Sequence, residues 1–100
     1  MTFFGFFRGM DYGKCHEDFE AYKKIKNQLK KADILLYLKK MPIAAVAPMS
    51  TKDIFTGEFL EQAGIMEDGD FRFPIDFIHY YEKYDIGIPI EYEKHLMKQL

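Results

Sequence analysis

DGDFRFPIDFIHYYEKYDIGIP, residues 68–89, carries a turn signal, a short alternation and a helix signal in immediate succession. Asp68, Gly69 and Asp70 are residues that reverse turns select, because Gly supplies positive φ and Asp bonds its own backbone. Phe71 and Phe73 then flank Arg72 in the two-residue period of a strand. Pro74 suits the first position of a helix, along which Ile75, Ile78 and Tyr81 recur at helical spacing with Phe77 and Tyr84 beside them. Gly87 ends that unit. Pro89 opens a last helix through Leu100, with Ile90, Leu96, Met97 and Leu100 expected as its buried residues.

Upstream, DIFTGEFL at Asp53–Leu60 places Thr56 and Gly57 between short apolar segments, which favours a tight turn. A small antiparallel sheet within residues 53–73 is one reading. A helical turn over Glu58–Ala63, ending at Gly64, is the other. Ile43–Ala47 fits a short buried strand or a packed connector, and Met49–Thr51 a loop. From His16 to Lys31 the helical signal is clear, with Phe19, Tyr22, Ile25, Leu29 and Ala32 on one stripe and lysines elsewhere. Beyond Ala32 the apolar positions Ile34, Leu35, Leu38 and Met41 change phase, so a bend near Asp33 is expected, with Asp33 as N-cap of a second helix ending before Pro42. Phe3, Phe4, Phe6 and Phe7 form an aromatic cluster that must pack against the helices, and Gly9, Asp11 and Gly13 mark a loop. The expected fold is mainly α, a single domain over residues 1–100 with three to five helices, with room for a short hairpin between residues 53 and 73 and α+β as the alternative.

The chain has 100 residues, of which 48% are hydrophobic and 17% aromatic, enough for one core and against disorder. Its net charge of −2 conceals an asymmetry: residues 1–50 hold nine Lys or Arg against five Asp or Glu, whereas residues 51–100 hold five against eleven. Two opposed halves of this kind neutralise each other in the fold or face solvent separately. Cys15 is the single cysteine, which rules out an intrachain disulfide and fits a reducing cytoplasm. The apolar N-terminus lacks a basic n-region and meets Arg8 and Asp11 early, so it is expected to stay on the mature protein. The longest uncharged run, Met41–Thr51, contains Pro42 and Pro48 and falls short of the about 20 apolar residues of a membrane span.

Chemistry-bearing motifs are sparse. Cys15 and His16 are adjacent before a helix, but Glu17 and Asp18 oppose a thiolate, and neighbouring side chains rarely face each other. His16, His79 and His95 lack HExxH spacing, and Glu67–Asp70 lacks the acid pattern of a calcium loop, so no metal, cofactor or catalytic residue is assigned. Asp76 and His79, three apart, share a helix face and suit a local hydrogen bond. Lys23, Lys24, Lys26, Lys30 and Lys31 could contact phosphates, yet they occupy the solvent face any amphipathic helix needs, and Arg is scarce.

The leading expectation is therefore a non-enzymatic interaction module. It would bind a protein partner, or itself, through an acidic aromatic surface of Asp76, His79, Tyr80, Glu82, Tyr84, Asp85 and Tyr92, because tyrosine is enriched at interface hot spots. A nucleic-acid-binding helical protein using Lys23–Lys31 is one alternative. The other is a small ligand-binding domain or enzyme, which would require a pocket with converging polar groups such as Asp76, His79 and Tyr80.

Overall fold

The computed structural model describes residues 1–12, 15–48, 50–60 and 62–100. The DGD turn joins two strands, β5 (Ala63–Asp68) and β6 (Phe71–Pro74), paired antiparallel with Asp68 opposite Phe71. Only Gly69 and Asp70 lie between them, and Gly69 takes φ +60. That is the demand of a two-residue hairpin loop with glycine first. Residues 53–58 form a second turn, between β3 (Thr51–Lys52) and β4 (Phe59–Leu60), which make a separate two-stranded sheet.

The larger sheet has four strands in the order β1-β6-β5-β2, where β1 is Thr2–Phe3 and β2 is Ala45–Ala47. β2 runs antiparallel to β5, whereas β1 runs parallel to β6, with Thr2 opposite Phe71. Four helices complete the fold: α1 (Phe19–Lys23), α2 (Lys31–Lys40), α3 (Asp76–Lys83) and α4 (Ile90–Met97). The architecture is thus α+β, and the mainly α expectation is corrected by the four-stranded mixed sheet. The reason is local. β1, β2, β3, β4 and β6 have only two to four residues and leave almost no alternation to read, and the parallel β1–β6 pair joins residues far apart in sequence.

One cluster forms the core: Phe4 and Phe7 from the N-terminal segment, Met66 and Phe73 from the sheet, Ile34 and Leu38 from α2, Phe77, Tyr80 and Tyr81 from α3, and Tyr92 and Leu96 from α4. Phe4 links the chain's two ends, its ring centroid 4.9 Å from Phe73 and 4.8 Å from Tyr92. Phe3, on the edge strand, is 58% exposed, so only part of the expected aromatic cluster turns inward.

Of the residues expected to be buried along the last helix only Leu96 is; Ile90, Met97 and Leu100 are exposed, and α4 ends at Met97 rather than Leu100. Other helix boundaries also differ from expectation. The stripe from Phe19 to Leu29 does not make one helix: α1 stops at Lys23 and α2 starts at Lys31. Asp18 caps α1 by accepting from Glu20 N (3.0 Å), while Asp33 lies inside the first turn of α2. Between the helices, the buried Glu93 carboxylate of α4 accepts from Gln28 N (2.6 Å), Leu29 N (2.9 Å) and Asn27 Nδ2 (3.1 Å). Asn27 in turn accepts from Ile88 N (2.9 Å) and donates to Ile88 O (3.1 Å). Amides that would have continued α1 are therefore spent on α4. Pro74 ends β6 and α3 begins at Asp76, because Pro74 still pairs with Ile65. β2 is a strand as one reading allowed, but Ala45 and Val46 are exposed. Gly13 and Met49, parts of two expected loops, and Glu61, part of the alternative helical turn, lie outside the described residues. No helix among the described residues is long and apolar enough to cross a membrane.

Candidate functional site

The turn after β3 is built around Asp53. Its N–H donates to Glu58 O (2.8 Å) and its carbonyl accepts from Gly57 N (2.9 Å), while Oδ1 accepts from Phe55 N (2.8 Å) and Thr56 N (3.1 Å). Gly57 supplies the positive φ (+76) that closes the loop. Two side chains from α3 and its end then reach the same carboxylate: His79 Nε2 lies 2.8 Å from Oδ2, and the Tyr84 hydroxyl donates at 2.9 Å to Oδ2 and 3.1 Å to Oδ1. Burial pushes this carboxyl up, but the bonds from His79, Phe55 N–H, Tyr84 and Thr56 N–H outweigh it and hold Asp53 at about 2. An ionised Asp53 makes Nε2 the donating nitrogen of His79.

Beside this turn, α2 and α3 bound an open cleft of about 620 Å³. Leu38, Met41, Leu60, Met66, Ile75 and Ile78 give it an apolar lining, and Lys39, Glu58, Asp76, His79 and Glu82 give it polar groups. These polar groups are not equivalent. Glu82 pairs with Lys39 at 2.6 Å and Glu58 with Lys83 at 3.0 Å, and all four side chains are at least 40% exposed. Asp76 is 2% exposed and accepts from the Tyr12 hydroxyl at 2.9 Å. Burial pushes the Asp76 carboxyl above the usual carboxylate range, against the lowering effect of its hydrogen bonds and of nearby His79.

The expected partner-binding residues do not form one surface. Asp76, Tyr80 and Tyr92 are buried, His79 and Tyr84 are half-buried, and only Glu82 and Asp85 are exposed. Asp76, His79 and Glu82 do meet, in the cleft. Tyr80 and Tyr84 point to the Asp53 turn, where the Tyr80 hydroxyl accepts from Ile54 N at 2.8 Å. Tyr92 belongs to another cluster: its hydroxyl and that of Tyr37 both donate to Asp68 Oδ2 at 2.9 Å, and His95 Nε2 lies 3.0 Å from Oδ1.

The density of tyrosines and acids thus has a structural origin. A buried hydroxyl needs an acceptor. Asp53, Asp68, Asp76 and Glu17 supply acceptors to Tyr84, to Tyr37 and Tyr92, to Tyr12, and to Tyr22 respectively. Burial and these acids push Tyr37 and Tyr84 up to about 12, so both remain donors at neutral pH.

Other sequence candidates separate on inspection. Cys15 is half-buried, its Sγ donating to Tyr12 O (3.1 Å), and burial together with Asp76, Asp11 and Glu17 raises its pKa, which favours the thiol over a nucleophilic thiolate. The lysines from Lys23 to Lys31 lie along α1, an irregular segment and the start of α2, so they do not share one helix face. Asp53, Glu58 and His79 bring their ligand atoms within 4.8 Å of one another, a spacing a metal ion could use. Asp53 already receives four donors there, however, and Glu58 is held by Lys83. Sequence reasoning missed Tyr12, Lys39, Asp53 and Glu58. Only the Asp53–Gly57 turn had a visible signal, and nothing in it pointed to α3.

Comparison of the chain with protein-family models, with curated proteins and with solved structures found no match.

Proposed function

We propose that this domain binds a small molecule in the cleft between α2, α3 and the 53–60 hairpin. The carrying observation is convergence: an open site of about 620 Å³, with apolar and polar surface in near-equal measure, receives Asp76 and His79, residues from a single helix turn, beside polar groups of α2 and β4's turn. Ligand sites commonly combine an apolar wall with a few placed polar groups. The test is methyl and amide NMR of the full chain against a set of small aromatic and aliphatic fragments, with Ile78→Trp as a variant that fills the cleft. Shifts concentrated at Met41, Met66, Ile75 and Ile78, and abolished in Ile78→Trp, are expected; shifts spread over the surface, or unaffected by the variant, would sink the reading.

A second reading, association with a protein partner or a second copy, is supported by Phe55 and Phe59, which are 52% and 69% exposed. Phe55 packs edge-on against Tyr84 with centroids 5.3 Å apart, so the hairpin presents aromatic area beside the expected face without using the buried tyrosines. Sedimentation velocity across a concentration series should show wild-type self-association that Phe59→Glu removes. A concentration-independent monomer would exclude the second-copy form.

A further inference from the structure

The cleft's buried acid has fewer hydrogen-bond donors than it can use, and that shortfall indicates what the cleft would take. Asp76 Oδ1 accepts from the Tyr12 hydroxyl (2.9 Å), but the same hydroxyl lies 3.1 Å from Gly64 O and accepts from Gly64 N (2.9 Å). A tyrosine hydroxyl has one hydrogen, and because Gly64 O already accepts from Ile75 N (2.9 Å) that hydrogen goes to Asp76 Oδ1, which leaves Oδ2 without a hydrogen bond of good geometry among the described residues. Thr51 Oγ1, also buried, faces the Asp76 carboxyl without a hydrogen bond of good geometry. Among the described residues no Lys or Arg pairs with Asp76, whereas both rim acids, Glu58 and Glu82, already have a lysine each. The unmet demand for positive charge is therefore at the floor of the cleft, and the rim is neutralised. A buried carboxylate without a cation is costly, and a ligand that brings one removes that cost.

We propose, building on the small-molecule reading, that the ligand is a small amphipathic cation, an amine with an apolar body, whose ammonium seats on Asp76 while the body lies along Leu38, Met41, Ile75 and Ile78. An anionic ligand finds no free lysine here, since Lys39 and Lys83 are held by Glu82 and Glu58, and Asp76 at the floor repels it. A metal ion at the Asp53 turn would have to displace His79 or a backbone donor from a carboxylate whose acceptor positions are occupied. An ammonium at Asp76 Oδ2 displaces no hydrogen bond of good geometry and adds a donor on the side that Tyr12 does not serve.

The experiment is an NMR titration of the full chain with three probes that share a phenethyl body, phenethylamine, 2-phenylethanol and 3-phenylpropionate, on wild type, Asp76→Asn and Glu82→Gln. The amine is expected to bind about tenfold or more tighter than the alcohol, as a charge-assisted hydrogen bond implies. That preference should vanish in Asp76→Asn and persist in Glu82→Gln, with the Asp76 carboxyl carbon shifting on amine addition in wild type. The carboxyl shift is read on wild type and so serves even if Asp76→Asn folds poorly. Equal cleft binding by all three probes, or a preference that follows Glu82, would overturn the amine assignment while leaving the cleft intact. No cleft shift with any probe would overturn both.

Discussion

At Asp53, burial and hydrogen bonding act in opposite directions on one carboxylate, and hydrogen bonding wins. Its folded pKa of about 2 lies below the ordinary 3.8, so the folded state favours the ion. A depressed carboxyl stabilises the fold above its unfolded pKa and loses that contribution as pH falls from about 4 through about 2. The gap is worth about 2 kcal/mol. Asp53→Asn should therefore cost about 2 kcal/mol at pH 7 and almost nothing near pH 2, measured as the difference between wild-type and variant urea midpoints at each pH. An equal difference at both would show that charge is not what the turn uses. Asp76 has the opposite sign, since burial raises it, which is why the comparison must be variant against wild type rather than one pH against another. At this scale the sequence displays residue types but not partners. Tyr84 and Asp53 are 31 positions apart, and nothing in DIFTGEFL identifies the phenol and imidazole that complete its carboxylate.

Element by element, turns were more legible than strands. DGD and FTGE show their chemistry locally, and both close hairpins in the structure. β2 and β1 show almost none, being three and two residues long and held by what they pair with. Gly64 demonstrates how tightly β2 is seated. A Cβ there would run into Ala45 O and come within 2.7 Å of Ile75 Cδ1, while Gly64 N donates to the Tyr12 hydroxyl and Gly64 O accepts from Ile75 N. Backbone oxygen cannot move aside as a side chain can, so Gly64→Ala should destabilise by about 1–3 kcal/mol, in the range of overpacked cores. Hydrogen exchange is expected to accelerate first at the Ala44 amide, which donates to Ile65 O at 3.1 Å. Unchanged stability and exchange would mean that β2 yields without cost. The α1 stripe failed as a boundary signal for a related reason: helical spacing continues through Leu29, but tertiary acceptors claim the amides at 28 and 29.

For the whole molecule, the charge asymmetry between halves resolves partly by pairing across them. Lys39 of the basic half meets Glu82 of the acidic half, and Lys31 Nζ donates to Tyr84 O at 2.9 Å. The fold class was not legible because its sheet is closed by long-range pairs, above all β1 on β6, that leave no periodic trace. The cleft was partly legible. Asp76 and His79 were visible as a pair on one helix face, while the walls that make them concave come from α2 and from the hairpin. Glu93 carries one more implication, for the order in which the chain can take shape. As the chain leaves the ribosome, residues 16–31 emerge with a helical stripe and no competitor for their amides. The acceptor that diverts Gln28 and Leu29 arrives only once residue 93 has been made. The interruption between α1 and α2 is thus completed from about 65 positions downstream, so the segment cannot hold its final form until that acceptor is available.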